Sequence, residues 1–585
     1  MADALDCRLG ALDLEKVTSG PRPALAAVVV FLVFASWIWN GKTCTSKRPL
    51  PPQPPAKPVI GHLHEIVREN KARRWHLRLN DWARRYGPIF GVRTGYIVDY
   101  YVNSDQLVKD LFDKRSAQTA DRPVWTMSST IMNNDFNPLF LNASDPRWKN
   151  QRKVIQQLLT NAQRADKIVP LLEYETLRFL HENVIPETDD PVIDYIMESE
   201  IQILNTFPGS NVIDLLPALG KLPLFLKAWE KWGRARYHRD VNWAMKRVKA
   251  VEDRLGKGDS SFENTFIGSV LQHEDMRGLA SKEELANLSL GLIVGAADTV
   301  RQISVTEHER DTDDLSTAAG WNHVADKSAD MEQSRMTTWA FLEAMMMFPE
   351  VQAKAREEIG TTAPTPTLTS ATADIHYVDR VVGDRIPSYE DFGRIPYVRM
   401  MMKELWRWRP PVALGHPHIT ARDLEVGGYR LPKGARLHIN AYAIGHDPAR
   451  HEDPDRFWPE RYQDDETTTM ESINSQDPTK RDHFAFGAGR RVCPGYHVAE
   501  RSFVTTMMRI LWAFDVAPAP GTKKPLVFAD YAGALPGNPA HDMPVKLWCR
   551  SESRKATVLR TLAEQNAARP DLTPLNMGEN VVPPL

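Results

Sequence analysis

The order of apolar and polar residues divides the chain into an apolar run, a proline-rich segment and a long stretch with globular periodicity. Residues 24–39 carry no charge and are almost entirely apolar, slightly short of the roughly 20 residues that a membrane-spanning helix needs. Trp37 and Trp39 end the run and basic residues follow, which is typical of a membrane boundary with a cytoplasmic body. We therefore predict a leader over 1–23, a transmembrane anchor over 24–39 and a proline-rich hinge over 40–58. A cleaved secretory signal and a buried core helix are the alternatives.

Beyond residue 58 the periodicity is that of a folded domain built mostly from helices. Residues 76–86 place apolar side chains at helical spacing and end at a Gly-Pro pair. Two strand-like runs follow at 89–92 and 97–102. Residues 285–294 are apolar on nearly all sides, which predicts a helix buried through the centre of a domain. The pattern thus predicts a mainly α fold with a small β region.

Two segments interrupt this periodicity. The apolar helix at 285–294 runs into Thr299, but residues 300–335 are polar and acidic without a helical period. Residues 360–378 are rich in threonine and separate two stretches that would otherwise be continuous. A buried helix cannot hold such a polar segment within its path, so the first insert has to loop out of the fold. We interpret both segments as retained introns, because each begins where a codon can carry GT; two genuine surface loops are the alternative.

Composition excludes several classes of protein. The chain has 585 residues, with 73 basic and 75 acidic side chains and a formal net charge of -2, so it lacks the basic footprint of a nucleic-acid-binding protein. Its four cysteines follow no spacing pattern, which argues against a disulfide framework. No internal repeat is evident, so we predict one large domain over 59–550, including the two inserts. Residues 551–585 combine scattered charge with late prolines, which predicts a disordered tail.

Cys493 stands at the end of a glycine-rich loop and is the strongest chemical candidate in the chain. The glycines of the loop allow tight turns that aim backbone N–H groups at the sulfur. Two arginines precede the cysteine and offer positive charge to an anionic ligand. A thiolate held in this way is a strongly electron-donating ligand for haem iron. The alternatives are a nucleophile of a Cys/His enzyme and a buried structural cysteine.

Five positions of this loop match a known haem-binding motif: Phe486, Gly489, Arg491, Cys493 and Gly495. Position for position they resemble the haem-binding loop of the cytochrome P-450 family. The resemblance implies a mainly α fold with a small β region, formed as a single large haem domain. It also implies that haem b lies between the central helix and this loop, with the cysteine as the axial ligand of the iron.

Other motifs match the same family, and the resemblance gives them roles at the cofactor. Trp148 and Arg152 stand four residues apart on a predicted helix, and the resemblance implies that both donate to a haem propionate. His418 follows a proline at the family position where a strand residue reaches a propionate. Taken alone, these residues would be a solvated helix face and a surface histidine.

Two further sets of residues flank the implied haem. Asp298 and Thr299 follow the central apolar helix, and the resemblance implies that they handle protons and water during cleavage of bound dioxygen. A helix C-cap is the alternative for this pair. Glu404, Arg407 and Arg461 are implied to form a buried structural triad on the proximal side, which is the side of the cysteine loop.

The function implied is that of a haem-thiolate monooxygenase. Such an enzyme inserts one oxygen atom from O₂ into a small apolar organic substrate and takes two electrons from NADPH. No FMN or NADPH domain is visible in the sequence, so a separate NADPH-cytochrome reductase is the expected partner. With the anchor at 24–39, the expected location is the endoplasmic reticulum membrane, crossed once, with the catalytic domain in the cytoplasm.

Short stretches of the sequence resemble those of fungal members of the family, which implies a role in secondary-metabolite biosynthesis. Two alternatives stay open. Another haem-thiolate reaction, such as isomerisation, dehydration or peroxygenation, would use the same cysteine loop. An inactive membrane-anchored product would result if the insert that begins at residue 300 disturbs the site next to Thr299.

Overall fold

The structure is a computed structural model that describes residues 48–72, 74–95, 97–184, 222–223, 227–263, 265–300, 336–359, 381–520 and 545–568. The predicted leader and transmembrane anchor lie outside the described residues, as does the second insert at 360–378. Of the first insert, only residue 300 is described. Within the described ranges, no helix combines the length and the apolar character that a membrane span requires.

Helices account for most of the described residues, so the predicted fold class is confirmed. The α-helices are α1 (Leu63–Lys71), α2 (Trp75–Tyr86), α3 (Asp105–Val108), α4 (Ser116–Thr119), α5 (Pro146–Leu159), α6 (Ala162–Val184), α7 (Ala228–Gly256), α8 (Phe266–Leu271), α9 (Lys282–Val300), α10 (Met336–Met347), α11 (Pro349–Ile359), α12 (Pro396–Trp408), α13 (Ala441–Gly445), α14 (Thr469–Asn474), α15 (Tyr496–Ala513) and α16 (Glu552–Ala568). Two π-helical segments, Lys109–Lys114 and Thr126–Ile131, lie between α3 and α5. The 3-10 turns are Ser260–Phe262, Met276–Gly278, Tyr389–Arg394, Pro459–Tyr462, Pro478–Lys480 and Gly489–Arg491.

The described strands form one sheet of four strands and two separate pairs. They are β1 (Ile89–Thr94), β2 (Ile97–Val102), β3 (His418–Ile419), β4 (Leu424–Val426), β5 (Tyr429–Leu431), β6 (Arg436–Ile439), β7 (Phe514–Pro518) and β8 (Val545–Cys549). The four-stranded sheet has the order β1-β2-β6-β3; β2 runs antiparallel to β1 and parallel to β6. β3 pairs antiparallel with β6, so His418 lies opposite Leu437 at an edge of this sheet. The antiparallel pairs β4–β5 and β7–β8 complete the small β region.

The largest hydrophobic core lies around α12 and α15, the two helices that flank the cysteine loop. Leu405 of α12 and Met507 and Leu511 of α15 are buried together with Phe341 of α10. α15 contributes a nearly continuous buried surface because it is apolar through most of its length. The helix that follows the cysteine is therefore held firmly by the core.

The described part of the predicted hinge, residues 48–58, is hydrogen-bonded to the domain at Pro49 and Pro52, which corrects the boundary of the hinge. Gly91 N of β1 donates to Pro52 O at 2.8 Å, and Arg430 N of β5 donates to Pro49 O at 2.9 Å. Prolines lack an N–H donor but keep the carbonyl acceptor, so this segment can satisfy exposed strand N–H groups. From Pro49 onward the predicted spacer is part of the folded body.

The predicted disordered tail is wrong for residues 552–568, which form helix α16. Arg554, Val558 and Leu562 recur every four residues, and all three are buried. The helix packs beside α6, where Tyr174 OH donates to Asn566 Oδ1 at 2.8 Å. An arginine stands within the buried stripe, which explains why the sequence pattern appeared polar. Residues 569–585 lie outside the described part of the chain.

Candidate active site

The cysteine loop, residues 486–495, is closed by backbone hydrogen bonds at its base. Cys493 N donates to Phe486 O at 2.8 Å, and Gly487 N donates to Phe484 O at 3.0 Å. The ring of Phe486 packs edge-on against Trp406 of the core, with 4.9 Å between the ring centres. α15 begins at Tyr496, so the cysteine precedes the N-terminus of a long helix, where the helix dipole favours negative charge. The loop is thus built to hold one sulfur atom in a fixed place.

Gly489 allows this loop to lie directly on the neighbouring segment of the chain. Its φ is +62°, and a Cβ at this position would lie 1.8 Å from Phe112 O. The next residue is tied to the same surface, because Arg490 N donates to Ser116 Oγ at 2.8 Å. A side chain at position 489 would therefore force the loop away from its support. Gly495 stands at the end of the loop as the N-cap of α15.

The Cys493 side chain is partly accessible. Burial raises the pKa of its thiol above the ordinary value, while a Gly495 N–H hydrogen bond and the positive charge of Arg152 act in the opposite direction. Without a metal ion the thiol therefore keeps its proton. Binding of a metal releases that proton, because only the thiolate is a metal ligand.

Three guanidinium groups beside the loop form no ion pair with a described Asp or Glu: Arg122, Arg152 and Arg491. Burial, together with repulsion from neighbouring arginines, lowers the pKa of Arg122 to about 9 and that of Arg491 to about 8, and the charge of Asp121 acts against this only at Arg491. Burial also lowers the pKa of Arg152, opposed by the charge on Cys493. Unpaired charges in a desolvated place are unfavourable. The cluster therefore has excess positive charge that an anionic ligand would compensate.

Backbone carbonyl groups hold these arginines in position. Arg122 donates to Pro417 O at 2.6 Å and to His416 O at 3.0 Å. Arg152 Nη2 donates to Val492 O, next to the cysteine, while its buried Nε has no hydrogen-bond partner among the described residues. Arg491 Nε donates to Ala120 O at 2.7 Å. Arg491 also donates to Pro138 O at 3.0 Å and to Leu141 O, so the three side chains are oriented, and the Nε of Arg152 is left as a donor for a ligand.

Trp148 and His418 lie in the same region as these arginines. The guanidinium of Arg491 stacks on the Trp148 ring, 4.3 Å from its centre. His418 Nδ1 donates to Thr119 O at 2.7 Å, and burial with the charge of Arg122 lowers the pKa of His418 well below 6.5. The imidazole is therefore neutral with a lone pair on Nε2. In this state Nε2 cannot donate to a propionate, the role that the resemblance implies.

Asp298 and Thr299 lie in the last turn of α9, which ends at Val300. Their backbones are helical, but their side chains are outside what the structure describes. The predicted buried stretch at 285–294 falls within the same helix, where Leu285 and Leu288 are fully buried. The proton-handling role of the pair therefore stays a prediction.

The structure brings Glu404, Arg407 and Arg461 together, as the resemblance implies. Arg407 donates to both oxygens of Glu404, at 2.7 and 2.8 Å, and Arg461 Nε donates at 3.1 Å. Glu404 also accepts from Trp458 N at 2.8 Å. Because Glu404 and Arg407 are both fully buried, the cluster joins α12 to the chain around residues 452–458 without solvent.

Arg122 is a candidate ligand-binding residue that the sequence did not indicate. It lies in an irregular loop before a proline, without a motif or a periodic pattern. Its position is defined by contacts with residues nearly 300 positions later, at His416 and Pro417. Such contacts leave no local signal in one sequence.

These residues fit haem b. The excess positive charge of the three arginines would be met by two propionate groups, and Cys493 supplies a single sulfur ligand beside them. A mainly helical domain with a cysteine loop before a buried helix and a cluster of arginines that form no ion pair with a described acid belongs to the class of haem-thiolate proteins.

Comparison with known sequences agrees with this class. The sequence pattern of the cytochrome P-450 family matches residues 51–195 and 333–540. A cytochrome P-450 monooxygenase of Gibberella fujikuroi is 41% identical over 560 residues, covering 90% of this chain and 92% of that protein. The cytochrome P-450 monooxygenase virE of Hypocrea virens is 31% identical over 523 residues, covering 85% and 84%. The chain belongs to the cytochrome P-450 family.

Membership in the family confirms several predictions. The protein is a haem-thiolate monooxygenase, an oxidoreductase that uses haem b and receives electrons from NADPH through a reductase. When bound, haem supplies the redox chemistry of oxygen activation, and the protein supplies orientation and electrostatics. The family pattern leaves residues 196–332 unmatched, a stretch that includes most of the first insert.

Proposed function

We propose that Cys493 is the axial ligand of the haem iron in a membrane-anchored fungal monooxygenase that acts on a small apolar organic substrate. The observation that carries this proposal is the loop geometry, in which Cys493 N bonds to Phe486 O at 2.8 Å before the N-terminus of α15. A thiolate held there would bind the haem iron, and the bound haem would supply the oxygen-activating chemistry. Phe486, Gly489 and Gly495 maintain the fold of the loop in this proposal.

The propionates of the haem are bound by Arg122, Arg152 and Arg491 in this proposal. Support comes from the lack of a described acidic partner for these arginines and from the unpartnered Nε of Arg152. Trp148 positions Arg491 through the stacked ring, in addition to its implied hydrogen bond. His418 contacts a propionate as a donor only after it takes up a second proton, which the negative charge of the propionate favours.

Asp298 and Thr299 hold and move protons on the distal side, which is the side opposite Cys493. In this proposal the Thr299 hydroxyl would hold a proton on this side, and the Asp298 carboxylate would return protons to it from water. Replacing Thr299 with Ala should lower the ratio of product formed to NADPH consumed, whereas Thr299→Ser should retain it. An unchanged ratio in Thr299→Ala would contradict the role.

The location and the metabolic role also belong to the proposal. The apolar run at 24–39 anchors the protein in the endoplasmic reticulum membrane, and the catalytic domain faces the cytoplasm. A separate NADPH-cytochrome reductase in the same membrane delivers the electrons. An open groove beside the cysteine loop, lined by residues including Lys114 and Arg490, is the proposed place where the reductase approaches. The similarity to fungal monooxygenases supports a role in secondary-metabolite biosynthesis.

The central test is the difference spectrum of the reduced carbon monoxide complex. We expect the full-length protein to take up haem and to show the red-shifted Soret band of a thiolate-ligated complex. Cys493→Ser should lose this band, because an alcohol does not replace the thiolate as a strong electron donor. A thiolate band that persists in Cys493→Ser would refute the assignment. If the full-length protein itself takes up no haem, the alternative of an inactive membrane-anchored product is favoured.

Turnover separates monooxygenation from the other haem-thiolate reactions. With NADPH and a reductase, a monooxygenase product gains one oxygen atom from labelled O₂. An isomerase or dehydratase product gains none, and a peroxygenase works with hydrogen peroxide without NADPH. Incorporation of label that depends on both NADPH and reductase is the expected result.

A further inference from the structure

Arg481 is a buried cation twelve residues before Cys493 that none of the sequence motifs includes. It is 4% exposed and forms no ion pair with the described acidic residues. Burial lowers the pKa of its guanidinium to about 10, and the charges of Asp113 and Asp482 act only partly against this. Burying such a group is unfavourable unless its donors are satisfied. The acceptors of its hydrogen bonds therefore show which part of the chain Arg481 holds in place.

Those hydrogen bonds go to the strand of chain that enters the cysteine loop. Arg481 Nε donates to His483 O at 3.2 Å, and Arg481 Nη2 donates to Gly487 O. The guanidinium also lies over the ring of Phe484, 4.5 Å from its centre. One planar side chain thus contacts two carbonyl groups four residues apart, with an aromatic ring between them. The rigid fork of arginine suits this arrangement, and the single charged end of lysine does not reproduce it.

The second of these carbonyls is next to the bond that positions the cysteine. Gly487 has a φ of +68° and directly follows Phe486, whose carbonyl accepts the hydrogen bond of Cys493 N. A shift of the Gly487 peptide would therefore move the acceptor that fixes the backbone of Cys493. The sulfur lies two bonds from that backbone. Arg481 is in this way connected to Cys493 through Gly487 and Phe486.

The backbone of Arg481 is itself anchored from behind. Arg450 Nη2 donates to Arg481 O, and Asp482 N donates to Ser472 Oγ at 3.2 Å. The Asp482 carboxylate lies 3.6 Å from Nζ of Lys403, a lysine of α12 that is 1% exposed. The side chain of Arg481 therefore extends from a fixed base towards the loop.

We propose that Arg481 is a positioning residue that holds the cysteine loop in the geometry required for Cys493 to remain bound to the haem iron. The inference rests on the proposed role of Cys493 as the axial ligand. Without the contact to Gly487, the entrance of the loop would be free to turn, and the sulfur would leave the iron more readily. Arg481 then influences the stability of thiolate ligation without touching haem or substrate.

The test compares full-length holoprotein variants by the reduced carbon monoxide spectrum, which distinguishes complexes with and without thiolate ligation. Arg481→Ala should raise the ratio of unligated to thiolate-ligated complex by about tenfold, which corresponds to about 1.4 kcal/mol. Arg481→Lys should give a smaller rise, because it keeps the charge and one contact. The reduction potential of the iron should move in Arg481→Ala for the same reason.

Arg509 offers a matched control. It is also 4% exposed, burial lowers its pKa to about 10, and its donors bind two backbone carbonyls, Pro387 O and Glu173 O, away from the loop. Arg509→Ala should lower the unfolding midpoint as Arg481→Ala does, but it should keep the wild-type ratio of complexes.

The possible results test the positioning role of Arg481 separately from the ligand role of Cys493. A wild-type ratio in Arg481→Ala, or an equal rise in Arg509→Ala, would overturn the positioning role. Should Arg481→Ala fail to fold, Arg481→Lys decides in its place, and a wild-type ratio there would overturn the role. A thiolate band in Cys493→Ser would instead show that the ligand assignment is wrong, so the two failures are distinguishable.

Discussion

Replacing Glu404 with glutamine removes one charge from a cluster whose central ion pair, Glu404 with Arg407, has no access to water. Glu404 and Arg407 are fully buried, and the Arg461 side chain is 9% exposed. Glutamine keeps the shape of the side chain, but its NH₂ group would face guanidinium donors. Both arginines would then lack their acid.

The free energy lost depends on whether the two arginines can reach water once the carboxylate is gone. Arg407 Nη1 also donates to Gly445 O at 2.7 Å and to Pro454 O at 2.8 Å, which keeps its charge inside the protein. Removing one partner of a buried ion pair costs about 3–5 kcal/mol, because the other charge stays uncompensated. The whole stability of a folded domain is about 5–15 kcal/mol. We therefore expect Glu404→Gln to destabilise the fold severely.

Asp391 is the matched control for this substitution. Its carboxylate is also fully buried and pairs with two arginines, Arg385 and Arg394, but these are 47% and 58% exposed. When Asp391 becomes asparagine, the two guanidiniums can turn into water. We expect Asp391→Asn to cost about 1.5–3 kcal/mol, the contribution of lost charged hydrogen bonds.

The assay is urea unfolding of the full-length holoprotein, followed by tryptophan fluorescence and by the Soret absorbance. The change in midpoint multiplied by the slope gives the difference in free energy of unfolding. Glu404→Gln should lose more free energy than Asp391→Asn. Equal losses would refute the reasoning, because they would show that the exposure of the arginines does not determine the cost.

Three further predictions concern the loop, α11 and the C-terminal helix. Gly489→Ala should bind much less haem per chain than Gly487→Ala, because a Cβ at 489 meets Phe112 O at 1.8 Å, whereas at 487 the nearest atom is 3.8 Å away; equal haem content would contradict this. Burial raises the pKa of the Glu358 carboxyl to about 7, above its ordinary 4.5. The stability that the protonated carboxyl contributes is therefore complete below about pH 4.5 and is lost as the pH rises through 7. Glu358→Gln should therefore stabilise the protein at pH 8 and flatten the pH dependence of urea unfolding; an unchanged pH profile would count against the shift. Val558→Ala should cost about 1–3 kcal/mol in the same assay, and no loss would contradict the packing of α16.

The sequence was informative where the signal is local. The cysteine loop could be predicted because its glycines and its cysteine lie within ten residues, and the structure gives Gly489 the positive φ that the motif requires. Helix α12 could be predicted because Glu404 and Arg407 lie one turn apart and a proline pair follows. In both cases one segment contains the residues that act together.

The sequence carried no signal where a residue acts through backbone carbonyl groups, because every residue type has one. Arg122 and Arg481 have no motif, and each is defined by the backbone that its guanidinium contacts. The error in the tail has a related cause. Arg554 is buried on α16 because its Nη1 donates to Trp512 O at the end of α15, and a buried arginine reads as a surface residue in a hydrophobicity pattern.

The partners of the buried arginines separate structural roles from ligand binding. Arg407 and Arg461 share Glu404, so their charges are balanced by the fold itself. Arg122 and Arg491 have carbonyl acceptors but form no ion pair with a described acid, and only the charge of Asp121 partly balances that of Arg491. A fold that keeps such charges gains free energy when a dianionic ligand binds, because binding replaces repulsion with attraction. Glu404 balances the charges of Arg407 and Arg461, and we expect the haem propionates to balance those of Arg122 and Arg491 in the same way. Removal of haem should therefore destabilise the region around α5 and β3 more than the triad.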